Sequence, residues 1–312
     1  MNGATRIRAA RAEYLAMRRT LGYQLTDPEH LLQQFVDYLD TVGADSITID
    51  NALTWARQPA GADPYWWSMR LSTVRVFARY LHAVDPDLAQ PIPPRLLPTR
   101  PCRAVPYLYS GQQVLAIMNA TDRLRKPLRR RTVRTLIGLL TVTGMRVGEA
   151  IAADVTDLDV TRGTIRVTGK LGRVRVLPLH PSTSQALADY LQLRMTVLPT
   201  PKTTALFVSN AGTRLIYNGV QNTFARLAAQ AGVSATSRRC RPRIHDLRHS
   251  FAVNTLADAY RTGADIDGRL ALLSNYLGHR DPASTYWYLT GSPELFALVA
   301  DRLEHHLSGR RP

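Results

Sequence analysis

Six prolines between positions 91 and 106 (Pro91, Pro93, Pro94, Pro98, Pro101 and Pro106) constrain the fold of this 312-residue chain more than any other feature. Each fixes φ and removes a backbone donor, so the stretch can be neither a helix nor a central strand. It reads as an extended, fairly stiff tether over 91–106, with a helical domain over 1–90 before it and a larger domain over 107–312 after it. A chain of this length can bury two cores. Its two cysteines, Cys102 and Cys240, stand far apart without ligand spacing, so neither a zinc site nor a disulfide framework is readable. No apolar signal core opens the chain, and no stretch approaches the roughly 20 apolar residues of a membrane span. A cytoplasmic protein is expected.

Before the tether the apolar spacing predicts four helices, over 6–21, from Thr26 through Leu39, over 49–57 and over 66–82. In the fourth, Leu71, Val74, Phe77, Ala78 and Leu81 make one apolar face, and Arg70, Arg75 and Arg79 are expected to project away from it. Such arginines are either solvated or turned toward a phosphate backbone. Beyond the tether, helices are predicted over 110–118, through 136–140 up to Gly144, over 182–193, over 217–231 and over 293–306. Alternating residues at 164–167 and 174–177, joined by Gly169-Lys170-Leu171-Gly172, predict a small antiparallel hairpin. The fold class expected is mainly α with a small antiparallel β-sheet: a helical N-terminal domain plus a mixed α+β domain.

Charge narrows the partners. Forty Lys and Arg against 24 Asp and Glu leave +16 at neutral pH, which suits a polyanion, and nucleic acid is the commonest one. Arg129, Arg130 and Arg131 lie in a dense basic run suited to phosphate contact, and residues 238–243 form a second basic loop. Three motifs carry chemistry: Thr143-Gly144-Met145-Arg146-Val147-Gly148-Glu149, His245-Asp246-Leu247-Arg248-His249, and the stretch from Tyr276 through Gly278-His279 to Tyr286-Trp287-Tyr288. Two guanidiniums, Arg146 and Arg248, converging on one phosphate would clamp it and stabilise charge developing in phosphoryl transfer. Histidines near neutrality can donate or accept protons there. No carboxylate cluster suggests a metal-dependent nuclease.

In chain order, Arg146, Lys170, His245-x-x-Arg248, His279 and Tyr288 resemble the catalytic set of the tyrosine recombinases (the phage integrase family). Leu272 through His279, Ser284 through Thr290 and an apparent small insertion at 258–268 are similar to the transposon-encoded members. The resemblance implies a core-binding domain at 1–90 and a catalytic domain with a C-terminal helix at 107–312. It implies that Tyr288 attacks a DNA phosphodiester to give a 3′-phosphotyrosine, with Lys170 protonating the 5′-oxygen and Arg173 as its nearest competitor. Glu149 and His249 would support the site. Tyr286, two residues from Tyr288, is the rival nucleophile. Neither ATP nor magnesium is required, so no cofactor is expected. The implied partners are double-stranded DNA with specific core sites and further copies in a synaptic tetramer, together with other recombinases of the same mobile element. The same residues would serve a type IB topoisomerase, and a non-catalytic DNA-binding accessory factor is the alternative of another class.

Overall fold

The computed structural model describes residues 3–98, 105–169, 172–200, 202–237 and 239–279, and beyond these 295, 297–300, 303, 304 and 308. Two compact units divide the chain, Met1–Arg103 and Ala104–Pro312.

The first unit holds helices α1 (Gly3–Thr20), α2 (Thr26–Thr41), α3 (Ile49–Arg57) and α4 (Pro64–Val84). Their starts are written locally. Thr48 and Asn51 exchange capping hydrogen bonds at α3, and Asp63 caps α4 ahead of Pro64. The predicted stripe of α2, Leu31, Leu32, Phe35, Val36 and Leu39, is wholly buried. Phe35 meets Trp55 edge-on at 5.1 Å between centroids, and burying a side chain of this size contributes about 1.5–3 kcal/mol.

The arginine expectation for this unit needs correction. Arg70 does not project from α4 into a groove: it is buried, its Nη2 donates to the Trp55 carbonyl at 2.9 Å, and its guanidinium lies 3.7 Å from the Trp55 ring centroid. That carbonyl bond and stacking on an aromatic face hold the cation inside the unit, although its buried Nε has no hydrogen-bond partner. Of its two companions, Arg79 is exposed, whereas half-buried Arg75 donates through Nε to the Pro93 carbonyl. The start of the proline-rich tether packs on the first unit. Gln90 and Ile47 pair through their backbones, and Ile92 and Leu97 are buried in the first unit's core.

The second unit begins where Tyr107 and Tyr109 enter its core. Its helices are α5 (Gly111–Ala120), α6 (Pro127–Thr143), α7 (Val147–Ala152), α8 (Pro181–Val197), α9 (Tyr217–Gln230), α10 (Asp246–Arg261) and α11 (Ile266–Leu277). Strands β1 (Leu158–Asp159), β2 (Thr164–Thr168) and β3 (Val174–Pro178) form an antiparallel sheet in the order β1-β2-β3, with Ile165 opposite Leu177 and Val167 opposite Arg175. Residues 258–268, read as an insertion, are the end of α10, a turn at Gly263 and the start of α11. The chain is thus mainly helical with one small antiparallel sheet. Of the last predicted helix, Leu295, 297–300, 303 and 304 are helical.

Candidate active site

Three chain turns meet at one pole of the second unit. The first is the end of α6, where Gly144 takes φ 59°. A Cβ there would lie 2.4 Å from Phe251 Cδ1, so glycine is required by conformation and by space. The turn hands the chain to Arg146, which caps α7. Its backbone N–H donates to Glu149 Oε2 at 2.8 Å and its Nη1 to Oε1 at 2.9 Å, an exchange that fixes both side chains.

The second turn is the start of α10. Asp246, fully buried, receives Arg243 through Nε and Nη2 at 3.0 and 2.8 Å. Burial nevertheless holds the Asp246 carboxyl above its ordinary value, against the pull of Arg243. Tyr109 braces the same corner, its hydroxyl donating to the Arg243 carbonyl and its N–H to Ser250. The third turn ends α11 at Gly278, φ 68°, with the His279 N–H returning to the Ser274 carbonyl in a Schellman closure.

Arg248 ties the three together. Only 2% exposed, it donates from Nη1 to the Gly144 carbonyl at 2.8 Å and from Nη2 to the Leu277 carbonyl at 2.7 Å and to His279 Nε2 at 2.9 Å. Two of these acceptors are carbonyls at helix C-termini, where the dipole is negative, so the buried cation caps α6 and α11 at once. Arg146 Nη2 reaches the neighbouring Gly278 carbonyl at 3.5 Å. The His-x-x-Arg spacing on α10 keeps His245 beside this cluster, its ring 5.4 Å from His249.

The electrostatics follow from burial among cations. Desolvation, then Arg248, Arg243 and Arg146, push His245 down to about 4, and desolvation with Arg248, Arg146 and Arg175 does the same to His279. His249 is pushed to about 3 by burial and by its histidine and arginine neighbours. Burial pushes Glu149 up, but hydrogen bonds and charge from Arg175 and Arg146 outweigh it and hold the carboxyl below its usual range. At neutral pH, among the described residues, Arg146, Arg175, Arg243 and Arg248 therefore face Glu149 and Asp246, and the three histidines add no charge. A site with this surplus is suited to an anion.

The structure thus brings together Arg146, Glu149, His245, Arg248, His249 and His279. Lys170 and Tyr288, and with it Tyr286, lie outside the described residues. Arg173 is exposed next to Gly172, which has φ 71°. Of the basic run, Arg129 donates to Thr223 and Arg130 to the Leu124 carbonyl, while Arg131 is exposed. Sequence reading missed Arg175, the second partner of Glu149. Its one signal was an arginine in the alternating stretch 174–177.

Comparison with known proteins shows the family. Residues 108–294 match the model of the phage integrase family. The chain is 41% identical over 310 residues to the integrase/recombinase y4rB of Sinorhizobium fredii (strain NBRC 101917 / NGR234), covering 97% of this chain and 98% of that one. It is 30% identical over 220 residues to the tyrosine recombinase XerD of Staphylococcus epidermidis (strain ATCC 35984), covering 70% of this chain and 69% of that one. Among solved structures, the Tn1549 transposon integrase in complex with transposon right-end DNA superposes with a TM-score of 0.63 at 16% identity, covering 98% and 99% of the two chains.

Proposed function

The chain belongs to the phage integrase family and is a tyrosine-type site-specific recombinase; on that premise we propose that it cleaves and rejoins DNA strands through a covalent 3′-phosphotyrosine on Tyr288, in the service of a mobile element. The observation that carries this reading is the convergence of Arg146 and Arg248 with His245 and His279 around the end of α11, in a setting with more positive than negative charge. A phosphodiester seated there receives fixed donors on its non-bridging oxygens, the stabilisation phosphoryl transfer needs.

In the proposed reaction the Tyr288 oxygen forms a bond to phosphorus and the bond from phosphorus to the 5′-oxygen breaks. The phenol, with an ordinary pKa of about 10, gives up its proton as it attacks. His245 and His279 are neutral at pH 7 and able to accept it. Lys170, between β2 and β3 in sequence, supplies the proton taken by the leaving 5′-hydroxyl. Attack by a second 5′-hydroxyl reverses these steps and reseals the strand. Glu149 orients Arg146, and His249 packs beside His245. Double-stranded DNA is the partner, with Arg79, Arg131 and Arg173 exposed for phosphate contact and the first unit serving as the core-binding domain. Synapsis of two DNA sites assembles a tetramer of the chain. The relative matched over 97% of this chain and 98% of its own length is named an integrase/recombinase, which supports DNA integration as the setting.

The test uses nicked duplexes tiling the DNA that flanks the coding sequence, incubated without divalent metal and resolved on denaturing gels. Wild type and Tyr286→Phe are expected to give a protein–DNA adduct, and Tyr288→Phe none. Loss confined to Tyr286→Phe would move the nucleophile. Tight binding without an adduct from any variant would make the protein a DNA-binding accessory factor. Relaxation of any supercoiled plasmid by the monomer, without strand exchange, would make it a topoisomerase.

A further inference from the structure

Glu149 is held by two guanidiniums, and the Arg146 motif accounts for one. The other is Arg175 on β3, whose Nη1 donates to Oε1 at 3.1 Å and Nη2 to Oε2 at 2.7 Å. Its Nε donates to the Tyr276 carbonyl at 2.9 Å. The Arg175 side chain is 15% exposed and that of Glu149 7%, so water screens this fork weakly. A Cβ on Gly278 would lie 3.0 Å from Arg175 Nη1, so the guanidinium packs directly beneath the turn that delivers His279. One side chain thus joins β3 to α7 and to the end of α11.

A carboxylate with one guanidinium partner tends to close on it as a two-pronged pair, which consumes the cation's donors and cancels its charge. Here Arg175 takes the forked geometry, and Arg146 keeps a single side-chain bond to Oε1 while its Nη2 points toward Gly278. Arg175 commits three donors of its five to protein acceptors.

We propose that Arg175 is a positioning residue for strand cleavage: by occupying Glu149 it leaves Arg146 available to the phosphate, and by holding the Tyr276 carbonyl it sets the turn that presents His279. The proposal rests on the phosphoryl-transfer reading above.

The full chain carrying Arg175→Met, Arg175→Lys or Arg175→Met with Glu149→Gln is assayed on the nicked duplex that gives the wild-type adduct. Duplex affinity, the single-turnover rate of adduct formation across pH, and thermal stability are read for each. Arg175→Met is expected to bind the duplex as wild type does but to form adduct about 10²-fold more slowly, the cost of a misplaced catalytic group. Its rate profile should lose activity at a higher pH on the acid side, because burial then lifts the Glu149 carboxyl. Arg175→Lys should recover part of the rate, and so should the double variant, since an uncharged amide at position 149 no longer captures Arg146. A rate equal to wild type, an acid limb that stays in place, or a loss that merely follows lowered stability and duplex affinity would each overturn the proposal. If wild type itself forms no adduct, the underlying reaction falls too; a normal wild-type adduct with an unaffected Arg175→Met removes this proposal alone.

Discussion

Arg248 Nη2 donates to His279 Nε2 at 2.9 Å, joining residues 31 positions apart. A guanidinium has no acceptor, so Nε2 must accept and the imidazole proton sits on Nδ1. The resting His279 is therefore neutral, in accord with a pKa pushed down to about 4. A phosphate reaching the site competes with Nε2 for the same guanidinium, which makes the histidines sensitive reporters of what binds there.

Stability should fall on mild acidification. His245, His249 and His279 titrate below their ordinary 6.5 in the folded chain, at about 4, 3 and 4. The native state then binds fewer protons than the unfolded one, so the stability linked to neutral histidines is present above pH 6.5 and is lost as pH falls toward 4. Asp246, held up by burial, acts with the opposite sign. Thermal unfolding across this window should show a falling Tm, less steep in His249→Gln. A Tm that does not change would show that these rings are not buried neutral.

Proton uptake should accompany DNA binding. A phosphodiester anion beside His245 and His279 favours their charged forms and raises both pKa values. Titration calorimetry of the nicked duplex near pH 6, in buffers of different ionisation enthalpy, should show protons taken up by wild type and fewer by His245→Gln. Equal uptake in both would place the phosphate elsewhere.

Arg70 and Arg79 should separate stability from DNA affinity. Arg70→Met loses its bond to the Trp55 carbonyl and its stacking on that ring, at a cost of about 1–3 kcal/mol. Its effect belongs in the unfolding curve. Arg79→Ala should leave unfolding alone and weaken duplex binding with a shallower salt dependence. The reverse pattern would return Arg70 to the DNA surface.

The two glycine turns should differ in tolerance. Alanine at either carries a left-handed backbone penalty of about 1–2 kcal/mol. At Gly144 a Cβ also meets the Phe251 ring at 2.4 Å, which adds about 1–3 kcal/mol of overpacking. Gly144→Ala should therefore lower Tm more than Gly278→Ala. The latter presses on Arg175 at 3.0 Å and should lose more adduct formation than its Tm loss explains.

Much of this protein was legible along the chain because the signals are local. The α2 stripe is buried as its spacing predicts, and caps at Thr48 and Ser110 start helices at the predicted positions, whereas the Asp63 cap starts α4 two residues before the predicted 66. Helical period and capping depend on neighbours within a turn or two, which a linear reading sees. The Arg146 and His245-x-x-Arg248 motifs were legible for the same reason: each combines reactive residues at a helix start.

What tertiary structure decided is where long side chains find their partners. Arg70 and Arg79 look alike in sequence, yet α3 brings Trp55 under one and leaves the other in water. Arg175 reads as one more residue of an alternating strand until Glu149, 26 positions away, and Tyr276, 101 away, arrive around it. An arginine reaches several ångströms and bonds whatever carboxylate, carbonyl or ring the fold delivers, so its role is set by contacts between elements. The sequence thus determined the helices, the turns and the family to which the chain belongs. Packing decided which cations stay exposed and which are drawn into the site, because burying a guanidinium without a partner is costly.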